Sequence, residues 1–413
     1  MHGPGRRAPT ATEAVAASPA AAAAPGWLNR TLLGVGLTSL FSDWGHELAT
    51  SLMPALLTSL GAPPIALGVV EGLSDAASTG MKLAGGAYGD RIANRKPLLV
   101  LGYLATPIMA LFAIVTAWWQ VVTLRTVAWA GRGLRNPLRD SLLADATPPT
   151  AYGRAFGFHR GMDTLGAVLG PLTGTLLLPV LGLRHAFWIS TIPGALSVLC
   201  VAILVREPPR HPDPTLRFRT SLRRLPAQFR WFLGSAGVFG MGNYAHTFLV
   251  LYAQTVLTPS LGAARAAAVA VGLYTLHNAL YAVGSFPAGF IADRLGKRGL
   301  LVTGYALFAA MNLVLIAPGA GLMHLVFAFV LAGIYIALVD AMEGAMAADL
   351  LPPEVRSTGY GVLAAVNGIG DLVSGLAVGG LWTAFGARPA FVYAAVLTLG
   401  GAALLGRVRA VRR

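Results

Sequence analysis

Charged residues are scarce in this sequence of 413 residues: Asp, Glu, Lys and Arg make up 12%, whereas hydrophobic residues make up 55%. A soluble protein of this length needs far more charge to cover its surface, so a soluble globular domain is excluded. The single cysteine, Cys200, excludes a disulfide framework and a cysteine metal site. The net charge of +14 comes mainly from short polar links between apolar runs, which indicates membrane orientation rather than nucleic-acid binding.

Motifs of common catalytic sites are also missing. The sequence has no nucleotide-binding glycine loop with a lysine, no zinc motif and no nucleophile elbow. Its histidines lack companions at metal-ligand spacing. We therefore expect no enzyme activity, no cofactor and no metal, and a membrane-embedded lipid enzyme is the weakest alternative.

The sequence does contain many apolar segments near the 20 residues that cross a bilayer. We count twelve, at 28–59, 64–88, 97–117, 120–145, 153–180, 185–205, 229–257, 263–291, 299–317, 322–349, 356–383 and 388–406. The sequence thus predicts an all-α membrane protein with twelve transmembrane helices.

Lysine and arginine positions predict how these segments are oriented. Basic residues concentrate in the even-numbered links and at both ends, whereas the odd-numbered links hold only Arg184, Arg265 and Arg388. We expect a monomer in the cell membrane with both termini cytoplasmic. The predicted parts are a disordered tail (1–26), a six-helix bundle (27–205), a linker that acts as a tether (206–228), a second bundle (229–406) and a basic tail (407–413).

A charged loop between two apolar segments occurs twice, about half the chain apart. The first copy runs from Gly86 through Asp90 and Arg91 to Lys96, and the second from Gly289 through Asp293 to Arg298. A second pair of similar stretches begins at Ala144 and Ala348, each reading Ala-Asp-x-x-Pro-Pro. Such repetition predicts two parallel halves of six helices.

These duplicated loops resemble the loop motif of the major facilitator superfamily. The second copy matches Gly-x-x-x-Asp-Arg-x-Gly-Lys-Arg, whereas the first has Ala93 for a glycine and one extra residue, Asn94. The resemblance covers about residues 28–406. It implies alternating access of two six-helix bundles, transport of a small molecule, and loop contacts that close the cytoplasmic side.

The loop motif places an acid beside bases at a helix end, where the acid can accept bonds from backbone N–H groups or a helix N-terminus. Arg91 and Arg294 can pair with acids or anionic headgroups. Topogenic charge in a tight loop is the simpler alternative. The gating candidates are Gly86, Asp90, Arg91, Arg95, Gly289, Asp293, Arg294 and Arg298.

A stretch of small residues on the fifth segment resembles the family's antiporter motif: Gly157, Gly166, Gly170, Pro171 and Gly174. The last three glycines are four residues apart, so they share one face and let another helix come close. Pro171 favours a kink. Antiport is implied only by the resemblance.

Charged residues within the apolar segments each cost roughly 3 kcal/mol at mid-membrane, and such residues usually face a bundle interior. Asp43 and Glu47 share one helix face, and Arg132 lies at a similar depth. We interpret these three as proton-coupling candidates, with a static salt-bridge scaffold as the alternative. Secondary intramembrane charges are Glu71, Asp75, Lys82, Arg160 and Asp163. Arg135, Arg139 and Asp140 are expected near the cytoplasmic end, where snorkelling or gate pairing explains them.

The second half has mostly neutral polar and aromatic residues, with few charges, in its segments. These suit substrate recognition, although for the aromatics alone a lipid-facing position or core packing is the favoured interpretation. The substrate-cavity candidates are Asn243, His246, Tyr274, Asn278, Asp340 and Asn367.

The sequence therefore favours a secondary active transporter, a proton antiporter that exports a small organic molecule. The partners would be that molecule, protons and the lipid bilayer, without nucleic acid. A proton symporter or organic-anion uptake carrier remains open, as does a non-transporting membrane sensor or scaffold.

Overall fold

Long α-helices joined by short turns make up the computed structural model, which describes residues 27–62, 65–210, 212, 214, 218–317 and 321–408. The predicted tail 1–26 lies outside the described residues, as does most of the predicted tail 407–413. The part of the chain that is described contains no β-strand, so the all-α prediction is confirmed.

The first half, residues 27–205, contains six α-helices. These are α1 (Arg30–Ser59), α2 (Ile65–Gly89), α3 (Lys96–Leu104), α4 (Trp118–Asp145), α5 (Tyr152–Ile189) and α6 (Thr191–Ile203). A 3₁₀-helix, Pro107–Ala113, continues the path of α3.

A short helix in the linker, α7 (Phe218–Arg224), leads into the second half. The helices of that half are α8 (Ala227–Gly242), α9 (Thr247–Leu261), α10 (Ala263–Leu295), α11 (Lys297–Ile316), α12 (Leu322–Leu350), α13 (Arg356–Phe385) and α14 (Ala387–Leu405).

Every one of the twelve predicted segments overlaps a described helix. Seven helical stretches are long and apolar enough to cross a membrane by length and composition. They are Lys96–Ala113, Pro149–Leu178, Val180–Ile203, Lys297–Ile316, Leu322–Leu350, Pro353–Phe385 and Ala387–Leu405.

The seventh predicted segment is not one continuous helix, because it breaks between Gly242 and Thr247. Side chains of neighbouring helices donate hydrogen bonds to the backbone and side-chain oxygens of Asn243 at the break. The Asn243 carbonyl accepts a bond of 3.0 Å from the Ser374 hydroxyl, and its side-chain oxygen accepts one of 3.1 Å from the Tyr335 hydroxyl. Backbone polarity exposed by the break is thereby partly satisfied inside the protein.

A second difference concerns the kink that the sequence predicts at Pro171 of the fifth segment. The backbone leaves the helical region of φ and ψ at a different residue. That departure falls at Gly182, whose φ of 73° and ψ of 167° are favourable only for glycine. The long helix therefore bends between the fifth and sixth predicted segments.

Close packing of α1 against α5 depends on three of the glycines in the antiporter-like motif. A methyl group on Gly170 would lie 2.7 Å from the Leu48 backbone nitrogen, and one on Gly174 would lie 3.2 Å from the Ser51 hydroxyl oxygen. Gly166 meets the Leu40 carbonyl in the same way. The motif therefore holds the first half together, whereas the halves meet through α2 with α13 and α5 with α10.

This packing predicts that replacement by Ala has opposite effects on stability at two helical glycines, Gly170 and Gly272. Gly170→Ala forces a methyl group into the α1 backbone, so it should destabilise the protein by about 1–3 kcal/mol. Gly272→Ala places the methyl group in open space and should stabilise α10 by up to about 1 kcal/mol. Thermal unfolding of the purified variants in detergent checks both, and equal midpoints would contradict the packing account.

Candidate functional site

One end of the molecule, called the basic end here, is where α2, α4, α10 and α12 end and α5 and α13 begin. Asp90 lies there, directly after α2, with its carboxylate fully buried. Its two oxygens accept bonds from the backbone N–H groups of Ser357 (2.9 Å) and Thr358 (2.7 Å) in the first turn of α13. We call this contact between the halves the first latch.

The second latch repeats this geometry with the halves exchanged. Asp293, near the end of α10, accepts bonds from the backbone N–H groups of Gly153 (2.9 Å) and Arg154 (3.1 Å) in the first turn of α5. The Arg154 guanidinium adds a third bond of 2.9 Å. Both carboxylates thus bind the free N–H groups and the positive end of a helix in the opposite half.

Glycines allow the helices beside each latch to cross closely. A methyl group on Gly86 would lie 2.7 Å from the Ser357 carbonyl oxygen. At the second latch Gly289 meets the Gly153 carbonyl, and a methyl group on Gly157 would lie 2.5 Å from the Ser285 carbonyl oxygen. Gly157, the first residue of the antiporter-like motif, therefore packs between the halves rather than against α1.

A buried ion network extends the first latch. Arg95 is fully buried and binds Asp145 (2.7 Å) of α4 and Glu207 (2.6 Å) of the linker. Asp145 also binds Arg356 at the start of α13. Lys297 and Asp349 form an equivalent pair of 2.8 Å at the second latch. The network thus joins the first half, the linker and the second half.

The expectation that residues 206–228 form only a tether is incomplete. Glu207 accepts bonds from the backbone N–H groups of Arg95 and Lys96, and Arg210 donates a bond of 2.9 Å to the Gly89 carbonyl. The beginning of the linker is therefore packed on the first latch.

Trp27, the first described residue, lies over the second latch. Its ring contacts Phe286 and Phe290 of α10, with centroids 6.1 and 5.6 Å away, and the Arg154 guanidinium lies 5.7 Å from it. Asn29 fastens the same segment to the first half through a bond of 2.7 Å to the Ala146 carbonyl. A residue to which sequence reasoning gave no role thus bridges the halves.

The other loop arginines differ from Arg95. Arg91 is exposed and donates a bond of 3.3 Å to the Pro214 carbonyl, and Arg298 donates one of 2.7 Å to the Gly406 carbonyl. Arg294 is exposed on the last turn of α10. The structure therefore places the two aspartates and Arg95 in the contact, and leaves Arg294 at the surface.

Deeper in the first half, the structure brings Asp43 of α1 and Arg132 of α4 together. Two bonds of 2.9 and 3.2 Å join them, and Arg135 lies 3.9 Å from the same carboxylate. The Asp43 side chain is almost completely buried, whereas the Arg132 side chain is 26% exposed. Glu47 lies one turn further along α1, and its closest described neighbours include the Gly170 backbone rather than a cation within ion-pair distance.

Arg135 and Arg139 were expected to snorkel or to pair at the gate, and in the structure both side chains are buried beside polar partners. Arg135 is buried, donates bonds to the hydroxyls of Thr106 (2.9 Å) and Ser42 (2.7 Å), and lies 4.0 Å from the Tyr103 ring centroid. Arg139 is buried beside Asp140 at 2.9 Å. Hydroxyl and aromatic partners from neighbouring helices make snorkelling unnecessary.

The secondary charges of α2 also meet α4. Glu71 binds Arg125 at 2.8 Å, and Asp75 accepts a bond of 3.1 Å from the Trp129 indole. The Trp129 ring lies between the Arg125 guanidinium, 3.6 Å from its centroid, and the stacked His46 ring, 3.9 Å away. These contacts join α1, α2 and α4 within the first half.

Two cations of the first half face acids of the second. Arg160 of α5 lies 3.4 Å from Asp163 and 3.9 Å from Asp340 of α12, which also binds the Tyr281 hydroxyl. Lys82 of α2 interacts electrostatically with Asp371 of α13. Charge pairs thus cross between the halves at membrane depth.

A cavity of about 230 Å³ lies among α8, α12 and α13. Three candidates line it, namely Asn243, Asp340 and Asn367, together with Glu343 and Asp371. Glu343 accepts bonds from the Asn367 amide (2.8 Å) and the Tyr305 hydroxyl (3.3 Å). Three of the few acids in the second half, Asp340, Glu343 and Asp371, therefore line this one cavity.

The remaining three candidates, His246, Tyr274 and Asn278, are not among the residues that line this cavity. His246 is 2.9 Å from the Tyr335 hydroxyl, His277 is 3.1 Å from the Asn278 side chain, and Tyr274 stacks on the His277 ring. The sequence could have indicated Glu343 and Asp371 as cavity residues, since both are carboxylates within apolar segments. Within the described residues, no group of three or more His, Cys, Asp or Glu side chains is arranged to hold a metal ion.

The latch geometry predicts a pH dependence whose direction follows from burial. Burial raises the pKa of Asp90, and the bonds from Thr358 and Ser357 only partly oppose this. An opened latch would expose Asp90 and return its pKa towards about 3.9. The closed state then binds the proton more tightly, so closure should strengthen as the pH falls through the raised pKa.

Labelling of Ser141→Cys, a buried position between the halves, in a Cys200→Ser background measures this opening. The labelling rate, normalised to that of an exposed Asn94→Cys variant, should fall with decreasing pH. Asp90→Asn should remove this dependence. A normalised rate that rises on acidification, or a dependence unchanged in Asp90→Asn, would contradict the assignment.

Comparisons with known proteins agree with this fold. A family model of the Major Facilitator Superfamily matches residues 35–273 and 247–413. An uncharacterized MFS-type transporter of Methanocaldococcus jannaschii is 29% identical over 383 residues, which is 92% of this chain and 94% of that protein. The multi-drug resistance efflux pump PmrA of Streptococcus pneumoniae is 27% identical over 172 residues, 41% of this chain and 43% of that protein.

Among solved structures, the E. coli fucose:proton symporter FucP shares the fold with a TM-score of 0.74 at 14% sequence identity, over 92% of this chain and 100% of that chain. The family match spans most of the sequence, and a relative of the same family aligns along nearly its whole length. The chain therefore belongs to the Major Facilitator Superfamily and is a multi-pass membrane transporter of that family.

Proposed function

We propose that this transporter exports a small organic molecule in exchange for protons, by alternating access of its two halves. The observation that carries the proposal is the ion pair between Asp43 and Arg132, which joins α1 to α4 and has one partly exposed partner. A structural salt bridge has no need of a partly exposed guanidinium, whereas a coupling site requires a partner that can move.

The chemistry follows from the low dielectric of the site. While Arg132 binds Asp43, the carboxylate is stable as an anion. If rocking of the halves withdraws Arg132, the isolated charge carries a large desolvation cost, and uptake of a proton removes it. Glu47, one turn away on the same helix face, would sense the same change.

The proposed direction of transport, export, has two supports. The antiporter-like glycine motif of α5 packs α1 tightly and joins the halves at Gly157. The partial match to an efflux pump favours export.

We further propose that the basic end faces the cytoplasm of the cell, because Lys and Arg concentrate in the links at that end. A monomer contains every residue of this mechanism.

A second candidate is proton symport or uptake of an organic anion. Arg132 and Arg160 retain 26% and 30% of their side-chain exposure, so a substrate anion could compete with Asp43 or Asp163 for them. FucP, which shares the fold, is a fucose:proton symporter.

Proteoliposomes that contain a pH-sensitive dye test both proposals against a panel of organic cations, anions and neutral compounds. Antiport predicts that an external substrate raises the internal pH, because protons leave as it enters. Symport predicts a fall. Asp43→Asn and Arg132→Gln should each reduce the substrate-dependent flux at least about tenfold.

Arg184→Gln is the matched control, since Arg184 binds the Ala113 carbonyl away from this pair and should retain the flux within about twofold. Substrate transport without any proton flux would overturn the coupling. Absence of transport for every compound, in protein shown to be folded, would favour a sensor or scaffold.

A further inference from the structure

A crevice of about 480 Å³ lies at the basic end, separate from the cavity among α8, α12 and α13. Its walls come from the end of α4, the beginning of the linker and the turn before α13. All three meet in this structure, in which the first latch is closed.

Arg356, on one wall, has unused hydrogen-bonding capacity although its side chain is only 8% exposed. One guanidinium nitrogen binds Asp145. The other lies 3.3 Å from the Leu351 carbonyl and 3.4 Å from the Tyr152 hydroxyl, both long distances. Among the described residues, its Nε has no acceptor.

Among the described residues, Arg210 on the linker wall also lacks a close counter-charge. One nitrogen donates to the Gly89 carbonyl, but the nearest described carboxylate, Asp90, is 3.9 Å away and is already bound to α13. Burial, followed by repulsion from Arg95, lowers the pKa of Arg210. An additional anion beside Arg210 would relieve this cost.

The acids of the crevice do not supply that anion. Asp145 is shared between Arg95 and Arg356, and Glu354 is exposed at the rim. The remaining surface is largely apolar, formed by Tyr152 and by Pro149, Pro208, Pro209 and Pro353. A flat apolar body can therefore lie against the walls while its charged group reaches the arginines.

We propose that this crevice binds a phosphate-bearing anion between Arg210 and Arg356. Guanidinium groups suit phosphate because their planar donors match its oxygens, and the volume falls within the range of small-molecule sites at domain interfaces. The phosphate can come from a free organic phosphate or from a phospholipid headgroup. By contacting the linker and α13 together, the ligand holds the basic end closed.

Thermal unfolding of the full-length protein tests the site in two arms, independently of any transported substrate. The first titrates inorganic pyrophosphate in detergent against chloride of equal ionic strength. The second compares phosphatidylcholine nanodiscs with nanodiscs that also contain phosphatidylglycerol. We expect a saturable rise of the unfolding midpoint in at least one arm, and the arm that responds identifies the source.

Arg210→Gln should weaken the response about tenfold, because it removes a charge-assisted contact. Arg223→Gln, an exposed linker arginine outside the crevice, is the matched control and should respond as the unmodified protein does. Glu354→Gln should strengthen binding by removing rim repulsion, a gain that damaged folding cannot produce. Responses that are absent in both arms, or equal in the Arg210→Gln and Arg223→Gln variants, would overturn the proposal.

Discussion

Two buried carboxylates that bind the first turn of a helix in the opposite half are the contact on which the rest of the structure depends. Each of them accepts two backbone N–H bonds that the helix itself leaves unused. These bonds offset part of the desolvation cost of burying each carboxylate, and the helix dipole adds to them. The contact therefore requires an aspartate at one position and a helix start at another, and at the second latch the Arg154 guanidinium adds one side-chain bond.

This arrangement also explains why the charges cluster in two layers. At the basic end, Arg95, Asp145 and Arg356 extend the first latch across both halves. At membrane depth, Arg160 faces Asp340 across the same divide. A motion that separates the halves at one layer therefore changes pairing at both, which is the physical link between closure of one end and protonation in the proposed mechanism.

The sequence predicted much of the fold because bilayer-spanning helices follow directly from apolar length and charge placement. It also indicated that Asp90 and Asp293 can accept bonds from neighbouring backbone N–H groups or from a helix N-terminus. It did not reveal which helices they cap, because Ser357 and Gly153 contribute only backbone N–H groups, which leave no residue signature. The break at Asn243 was missed for a related reason, since its replacement bonds come from the distant Tyr335 and Ser374.

The partners of the buried arginines were also not predicted. Length along α4 placed Arg135 near a membrane surface, but the hydroxyls that satisfy it belong to Ser42 and Thr106 on other elements. Likewise, Asp371 and Glu343 share a cavity only because α12 and α13 both line it. Pairings across elements depend on helix packing, and helix periodicity alone does not specify that packing.

Spin labels at Asn94 and Glu354, two exposed positions on opposite sides of the first latch, test the central claim most directly. Pulsed dipolar spectroscopy in a Cys200→Ser background should give one short distance. Asp90→Ala with Asp293→Ala should add a longer distance as the basic end opens, whereas Arg294→Ala, at an exposed loop arginine, should not. An unchanged distance distribution in the double variant would contradict the claim that these carboxylates hold the halves together.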